Sequence, residues 1–333
     1  MEKIVLGFPA SKNLIQQIQT EAREYEVVLA EQEELPKLLP EATLFCGHAK
    51  IPVDWPEIIS AGNLKWIQSS AAGLDHCMHP AVVDSETLVS GASGLFANQV
   101  AETAAALLFG LVRSMKTFHD AQQKQIYSRK YTDDLTGKSL GIIGLGGNGQ
   151  RIAQVMRPWV TQIVGTDFFS DQKIDCVDKV YPPSALVQVL NQSDVVIVTL
   201  PLTEQTQSVF GEYEFDAFRP GSYLINVGRG SVIDTQELIR AIEKGKFSGV
   251  GLDVVDPEPL PKGSPLWEME NVIITPHVGA QSARRLTDTT DFFCENIRRY
   301  RAGQTLLNLV DKKLGFPTPE NRVALDWRNK FLK

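Results

Sequence analysis

Short apolar runs alternate with amphipathic stretches along the first 89 residues. A run of four to eight apolar residues is typical of a buried strand, whereas apolar residues at a spacing of three or four indicate a helix. Alternating strands and helices form parallel sheets that helices cover on both faces, so this segment is predicted to be a small α/β domain. The predicted strands are 4–8, 27–29, 44–46, 64–67 and 88–89, and the predicted helices are 12–25, 33–39 and 56–61.

The same alternation returns between residues 140 and 275, where prolines follow several of the apolar runs. Six predicted strands match the number in a doubly wound, dinucleotide-binding sheet. The predicted strands are 140–143, 163–165, 195–200, 223–227, 249–254 and 272–275, with helices at 150–159, 184–190 and 235–244.

Two longer helices are predicted on either side of this second domain. Residues 98–129 contain no proline and are rich in Ala, Leu, Gln and Lys, which favours one long helix. Its first half is apolar nearly all round, which predicts burial between domains or between subunits. Residues 282–301 predict an amphipathic helix that returns to the N-terminal domain, and the tail from Gly303 onward resembles a strap over other structure.

A glycine fingerprint lies between strand 140–143 and helix 150–159. Gly144, Gly146 and Gly149 occupy the three fixed places of G-x-G-x-x-G. The first glycine permits a tight turn, the second lets the backbone approach a pyrophosphate, and the third lets the helix pack on the strand. The N–H groups and the positive dipole end of the helix then face the phosphates. The segment therefore predicts a bound dinucleotide.

An acidic residue ends the following strand. Asp167 lies 23 residues after Gly144, close to the spacing of about 20 expected for a carboxylate that accepts a hydrogen bond from a ribose 2′-hydroxyl. A carboxylate at that position repels a 2′-phosphate, and neither Arg nor Lys occurs between Asp167 and Gln172. NAD is therefore the predicted cofactor, in preference to NADP.

Composition narrows the classes of partner. The chain of 333 residues exceeds one typical domain, carries a formal net charge of −7 and has 43% hydrophobic residues. No cluster of five or more basic residues occurs, which argues against nucleic acid and anionic membranes as partners. The four cysteines have no metal-ligand spacing, and neither a secretory signal nor an apolar run of 18 residues is present. A cytoplasmic protein without a metal site is expected.

Three residues with side chains suited to catalysis follow three of the predicted strands. Arg229, Glu258 and His277 come after strands 223–227, 249–254 and 272–275. The carboxyl ends of parallel strands meet at one edge of a sheet, and ligands bind there. An arginine, a carboxylate and a histidine are therefore predicted to converge at the edge that carries the dinucleotide.

Four motifs in this order resemble those of the D-isomer-specific 2-hydroxyacid dehydrogenase family. They are GLGGNG at 144–149, NVGRG at 226–230, DVVDPEP at 253–259 and TPHVGA at 275–280, and the likeness extends from about Ser69 to Arg301. The resemblance implies two doubly wound parallel-sheet α/β domains. A Rossmann NAD-binding domain at 99–284 would be inserted into a flavodoxin-like substrate domain of 1–98 plus 285–333. It also implies a homodimer.

The resemblance assigns roles to the three residues at the sheet edge. Arg229 would hold the substrate carboxylate and keto oxygen, a task suited to a planar, permanently charged fork. His277 would act as acid/base, and Glu258 would pair with it and orient the ring. The stretch SSAAGLD resembles a loop whose backbone N–H groups receive the substrate carboxylate, centred on Ala72, Gly73 and Leu74.

Cofactor contacts are implied at further positions. Asp253 would hydrogen-bond the nicotinamide amide, although an acid at a strand end also commonly caps a turn. The full implied set is Thr103, Gly144, Gly146, Gly147, Asn148, Gly149, Asp167, Pro201, Thr206, Val227, Gly228, Arg229, Asp253, His277 and Gly279.

The reaction implied is hydride transfer between the nicotinamide and C2 of a small 2-keto or D-2-hydroxy acid, in a glyoxylate/hydroxypyruvate reductase or phosphoglycerate dehydrogenase-like member. Chemistry would take place in a cleft between two lobes. Formate dehydrogenases pair the histidine with a glutamine, so Glu258 argues against that activity. The alternative from another class is an NADH-sensing, corepressor-like binding protein, against which the chain shows no long disordered arm.

Overall fold

The computed structural model describes residues 1–324 and 327, and these form two compact units. Unit 1 combines Met1–Phe96 with the segment that begins at Ser282, and unit 2 is Ala97–Gln281. Each unit contains a parallel β-sheet with helices, five strands in unit 1 and seven in unit 2. The predicted fold class, two parallel-sheet α/β domains, is therefore confirmed. Among the described residues, no helix has the length and apolar character needed to cross a membrane.

Unit 1 is built on a sheet with strand order β2-β1-β3-β4-β5, in which every pair is parallel. Elements are numbered along the whole chain. The strands are β1 (Glu2–Gly7), β2 (Tyr25–Leu29), β3 (Leu44–Gly47), β4 (Trp66–Ser69) and β5 (Leu88–Ser90), and the helices are α1 (Lys12–Glu21), α2 (Leu35–Leu38), α3 (Trp55–Ser60), α4 (Pro80–Val83) and α11 (Arg285–Arg301). A short antiparallel hairpin of β13 (Val310–Asp311) and β14 (Phe316–Pro317) follows α11.

Helix α11 covers this sheet beside α1. Its Phe293 and Tyr300 rings lie 5.3 and 5.6 Å from the indole of the fully buried Trp66. At the far end of α11, Arg298 forms an ion pair with Glu21 at 2.8 Å, at the end of α1. The returning helix predicted at 282–301 is thus part of unit 1, and its N-terminus begins three residues later than predicted.

Unit 2 is a seven-stranded sheet with the order β12-β11-β10-β9-β6-β7-β8, in which every pair is parallel. Strand β6 lies where the strand order reverses, between β9 and β7. The strands are β6 (Ser139–Ile143), β7 (Gln162–Thr166), β8 (Lys179–Tyr181), β9 (Val195–Val198), β10 (Ser222–Asn226), β11 (Phe247–Leu252) and β12 (Val272–Ile274), and the helices are α5 (Ala97–Val112), α6 (Met115–Gln123), α7 (Gly147–Met156), α8 (Leu186–Gln192), α9 (Glu212–Ala217) and α10 (Thr235–Glu243).

Six strands were predicted in unit 2, and the seventh, β8, corrects that prediction. Its three residues include a lysine and form an edge strand, so no apolar run signals it. The preceding residue supplies the missing stabilisation, because the Asp178 carboxylate accepts hydrogen bonds from the Ile163 N–H and from Arg157, both at 2.7 Å. Helix α9 was also not predicted, because only one of its six residues, Phe215, is buried.

The single long helix predicted at 98–129 is wrong. The structure has two helices, α5 and α6, separated at Ser114, which adopts a left-handed conformation with φ 53°. Lys116 in the first turn of α6 donates hydrogen bonds from Nζ to the carbonyls of Met269 and Val272 at 2.7 and 3.1 Å. This tertiary contact anchors the start of α6, and it accompanies a break that helix propensity alone does not predict.

Part of the apolar face of α5 packs inside unit 2. Leu107 and Leu111 pack on Gly251 and Gly249 of β11, where a β-carbon would come within 3.0 Å of these leucine side chains. The helix therefore covers its own sheet, which accounts for these two leucines, and the predicted burial between domains or between subunits stays a prediction.

Candidate active site

Five loops follow the carboxyl ends of neighbouring strands in unit 2. They come after β6, β9, β10, β11 and β12, which lie side by side in the sheet. The fingerprint glycines follow β6, at the point where the strand order reverses. Arg229, Glu258 and His277 follow β10, β11 and β12, so the structure places all three at the same edge as the fingerprint.

The fingerprint loop has the tight geometry that its glycines predict. Gly144 has φ +97°, which side chains rarely permit, and a β-carbon on Gly149 would lie 2.0 Å from the carbonyl oxygen of Gly144. Gly147, Asn148 and Gly149 form the first turn of α7, where backbone N–H groups have no acceptor within the helix. The loop thus presents a row of N–H donors that fits a pyrophosphate.

Asp167 lies directly beyond β7, and its carboxylate is attached to the fingerprint loop. Oδ2 accepts a hydrogen bond from the Leu145 N–H and Oδ1 accepts one from the Phe169 N–H, both at 2.9 Å. Each carboxylate oxygen has further lone pairs, so these bonds leave acceptor capacity for a ribose hydroxyl. The charge predicted to select NAD is therefore held next to the phosphate-binding turn.

Arg229 lies in a turn that Asn226 organises. The Asn226 side chain accepts a hydrogen bond from the Gly228 N–H at 3.0 Å and donates one to the Arg229 carbonyl at 2.9 Å. A β-carbon on Gly230 would lie 1.9 Å from the carbonyl oxygen of Val255, so this turn packs tightly on the loop after β11. Arg229 itself is partly buried. Its backbone is therefore fixed relative to the Glu258 loop.

His277 and Glu258 are in contact. The Nδ1 atom of His277 lies 2.8 Å from Oε1 of Glu258, and both side chains are somewhat under half exposed. This contact joins the loops after β11 and β12 across 19 positions of sequence. Since Nδ1 is engaged, Nε2 is the ring nitrogen available to a substrate.

Asp253 holds the loop that carries His277. Its Oδ1 accepts hydrogen bonds from the Thr275 hydroxyl at 2.6 Å and the Val278 N–H at 3.0 Å, and its Oδ2 accepts one from the Gly279 N–H at 2.8 Å. His277 has φ 53°, a conformation that side chains seldom adopt without such support. The carboxylate predicted to contact the nicotinamide amide is thus observed as the cap of this turn.

The remaining predicted cofactor contacts lie around the same edge. Thr206 closes the loop after β9, with its hydroxyl donating to the Pro201 carbonyl at 2.7 Å and accepting from the Thr203 N–H at 2.8 Å. Thr103 of α5 lies near Gly279, where a β-carbon would be 3.9 Å from that of Thr103. Val227 is buried at the end of β10.

The predicted carboxylate loop lies in unit 1, after β4. Ser69 starts it with a hydroxyl that accepts from the Ala71 N–H at 3.1 Å and lies 2.8 Å from Nε2 of His76. Across residues 1–324 and 327, the backbone N–H groups of Ala72, Gly73 and Leu74 donate no hydrogen bond. Three consecutive N–H donors at the carboxyl edge of a sheet fit an anionic group.

Sequence reasoning missed the residues that hold these loops in place. Asn226, Thr275 and Ser69 act through hydrogen bonds from side chain to backbone or to a buried carboxylate. Asn226 and Thr275 lie inside the motifs NVGRG and TPHVGA, so the sequence indicates that these positions belong to the site. Their hydrogen bonds form only in the folded turns and cannot be read from the motifs. Among the described residues no group of three or more potential metal ligands is found.

A dinucleotide fingerprint at the switch point, with arginine, glutamate and histidine on the neighbouring strand ends, defines a nucleotide-dependent α/β oxidoreductase. The sequence profile described as "D-isomer specific 2-hydroxyacid dehydrogenase, NAD binding domain" matches residues 105–279, which is just over half of the chain. The chain belongs to the D-isomer specific 2-hydroxyacid dehydrogenase family, and the predicted resemblance is confirmed.

Several named proteins align with most of the length of this chain. A glyoxylate/hydroxypyruvate reductase A from Arabidopsis thaliana is 32% identical over 79% of this chain and 84% of its own length. A D-isomer specific 2-hydroxyacid dehydrogenase from Xanthobacter autotrophicus, solved with NADPH and MES, is 26% identical with a TM-score of 0.80, and the match covers 95% of this chain and 99% of that one. A D-lactate dehydrogenase from Aquifex aeolicus, solved with NAD and lactic acid, shares the fold at 24% identity and a TM-score of 0.75, over 91% and 96% of the two chains.

Proposed function

We propose that this protein is a reductase of small 2-keto acids that also oxidises the corresponding D-2-hydroxy acids. The 2.8 Å contact between His277 Nδ1 and Glu258 Oε1, at the sheet edge that carries the dinucleotide fingerprint, is the observation on which the proposal rests. It supplies a histidine with one fixed nitrogen and one free nitrogen, which is what proton transfer to a keto oxygen requires.

In this proposal the residues at the edge have different tasks. Arg229 binds the substrate carboxylate and keto oxygen through two parallel N–H donors. His277 gives the proton on Nε2 to the keto oxygen during reduction and removes it during oxidation, while Glu258 holds the ring by Nδ1. Asp253 keeps the backbone at residues 275–279 in place throughout.

The cofactor proposed is NAD. When bound, a nicotinamide dinucleotide supplies or accepts the hydride at C2 of the substrate. The N–H groups of Gly147, Asn148 and Gly149 would hold its pyrophosphate, and Asp167 would hold the adenosine ribose. Solved family members named above contain NADPH or NAD, so the preference rests on the charge of Asp167 in this chain.

Unit 1 is proposed to contribute substrate binding. The free N–H groups of Ala72, Gly73 and Leu74 would receive the substrate carboxylate, and the predicted boundaries 1–98 plus 285–333 and 99–284 are proposed for the substrate and cofactor domains. A cytoplasmic location is proposed on the unpaired cysteines, of which Cys46, Cys77 and Cys294 are buried.

Oxidation of NADH by a panel of keto acids tests the activity. Glyoxylate, hydroxypyruvate, pyruvate and longer 2-keto acids are each offered with NADH and with NADPH. We expect turnover of at least one acid, with kcat/KM for NADH at least about tenfold above that for NADPH. A tenfold difference corresponds to about 1.4 kcal/mol, which is a modest penalty for a 2′-phosphate placed beside the Asp167 carboxylate.

Asp167→Asn is the matched variant for the cofactor preference, because it keeps a similar shape and removes the charge. The ratio of kcat/KM with NADH to kcat/KM with NADPH should then decrease. Binding of NADH without turnover of any acid would favour the corepressor-like alternative over the enzyme, and a preference for NADPH in the unaltered protein would contradict the role of Asp167.

We propose that the protein is a homodimer, as the family resemblance implies. Residues 124–134 contain no helix or strand, and Ile126, Tyr127 and Tyr131 in this segment are strongly exposed, which a second copy could cover. Sedimentation velocity at micromolar concentration should give twice the 36.9 kDa mass of the chain. A monomeric species at that concentration would contradict the proposal.

A further inference from the structure

The segment that follows α11 runs along the edge of the unit 1 sheet. We call residues Leu306–Val323 the strap. Leu309 forms an isolated antiparallel bridge with Ser90, the last residue of β5, and the β13–β14 hairpin follows. The strap therefore extends the sheet beside the point at which β5 leads into the turn at residues 91–93.

Asn308 is the residue through which the strap holds this turn. Its side chain is completely buried, and Nδ2 donates hydrogen bonds to the carbonyls of Gly91 at 2.9 Å and Ser93 at 2.8 Å. Oδ1 accepts a hydrogen bond from the Val323 N–H at 2.8 Å. The amide thus satisfies three backbone groups with one side chain, and it does so with a left-handed φ of 54°.

The turn at 91–93 in turn supports the carboxylate loop. The Ala92 N–H donates to the Ala71 carbonyl at 3.0 Å, one residue before the three free N–H groups. Gly91 lies so close to Leu74 that a β-carbon on Gly91 would be 3.0 Å from Cδ2 of Leu74. Both ends of the 71–74 loop are therefore in contact with the turn that Asn308 holds.

A second buried network fixes the strap itself. Asn296 of α11 accepts a hydrogen bond from the Leu307 N–H at 2.7 Å and donates to the Leu307 carbonyl at 3.1 Å. It also donates to Oε1 of Gln68 at 2.8 Å, and Gln68 donates to the carbonyl of Ser69. The residue before Asn308 is thus tied to β4, so Asn308 meets the turn at a defined position.

We propose that Asn308 is a positioning residue for substrate binding, acting through the turn at 91–93 on the N–H groups of Ala72, Gly73 and Leu74. The inference rests on the proposed function of this loop as the carboxylate site. Three N–H donors bind an anion well only when they point at one place, and loss of the supporting turn lets them diverge. The expected signature is weaker keto-acid binding with proton transfer at His277 largely preserved.

Asn308→Gly tests this because glycine accepts the left-handed backbone while all three side-chain hydrogen bonds are lost. We expect KM for the preferred keto acid to rise at least about tenfold, with kcat and the Kd of NADH each within about threefold of the unaltered protein. Asn308→Asp is the second variant, since it keeps an acceptor for Val323 and removes the two donors to Gly91 and Ser93; it should raise KM similarly.

Lys312→Met is the matched control within the strap. Lys312 donates from Nζ to the carbonyls of Val82, Ser85 and Thr87, so its replacement also removes three hydrogen bonds from strap to backbone, but at a site away from the turn. This variant should lower thermal stability and leave KM unchanged. A rise in KM for Lys312→Met equal to that for Asn308→Gly would show that Asn308 has only a general structural role, and it would overturn the proposal.

Hydrogen exchange of the ligand-free protein separates this inference from the proposed function. The peptide covering residues 69–78 should exchange faster in Asn308→Gly than in the unaltered protein or in Lys312→Met. Faster exchange in a protein that turns over no keto acid would retain the positioning role and reject the function. Unchanged exchange and unchanged KM in the folded Asn308 variants would reject the positioning role alone.

Discussion

Replacement of His277 by alanine is expected to lower kcat for keto-acid reduction by about two to four orders of magnitude, the usual contribution of a general acid. In the proposed mechanism, the imidazole held by Glu258 donates the proton to the keto oxygen, and alanine has no proton to give. Binding of NADH, followed by its fluorescence, should stay within about threefold, because the phosphate-binding turn after β6 is untouched.

Two further variants make the His277 experiment specific. Glu258→Gln keeps a hydrogen-bonding partner for Nδ1 and should therefore lower kcat less than His277→Ala does. His119→Ala removes an exposed histidine of α6 and should leave kcat unchanged. Turnover by His277→Ala within a few fold of the unaltered enzyme would show that another group supplies the proton.

Replacement of Arg229 by lysine is expected to lower kcat/KM for the keto acid by about a hundredfold. Lysine keeps the positive charge but cannot form two parallel N–H bonds to a carboxylate and a keto oxygen. Loss of one hydrogen bond to a charged group costs about 1.5–3 kcal/mol, which corresponds to roughly one to two orders of magnitude. Initial rates against keto-acid concentration measure the effect.

Arg219→Lys is the matched control for Arg229. Arg219 is an exposed residue that pairs with Asp194 at 2.8 Å, and the same exchange there should leave kcat/KM unchanged. If Arg229→Lys retains the full kcat/KM, Arg229 does not bind the reacting part of the substrate, and the free N–H groups of unit 1 would be left as the candidate carboxylate site.

Much of this architecture could be predicted because it depends on local patterns. Runs such as 140–143 and 195–200 are apolar on both faces, which is what burial in a parallel sheet demands. The positions of Arg229, Glu258 and His277 directly after such runs are sufficient to place them at one sheet edge, since parallel strands share their carboxyl ends. The observed 2.8 Å contact of His277 with Glu258 agrees with that placement.

The features that could not be predicted depend on partners far away in the sequence. Strand β8 has no apolar run and is held through Asp178, whose two partners lie 15 and 21 positions earlier in the sequence. The break at Ser114 is accompanied by contacts of Lys116 with residues more than 150 positions away. Asn308 forms its bonds to Gly91 and Ser93 across more than 210 positions. A single polar residue in a sequence carries no sign of which backbone groups it will reach.

The divided construction of unit 1 has a consequence for biosynthesis. The hydrogen bond between Gln17 of α1 and Asp291 of α11 spans 274 positions, whereas unit 2 is one continuous stretch. At translation rates of about 5–20 residues per second, α11 is synthesised roughly 15 to 55 seconds after α1. Unit 2 is complete before then, so nascent unit 1 exposes the apolar side of its first sheet while the cofactor domain is already able to fold.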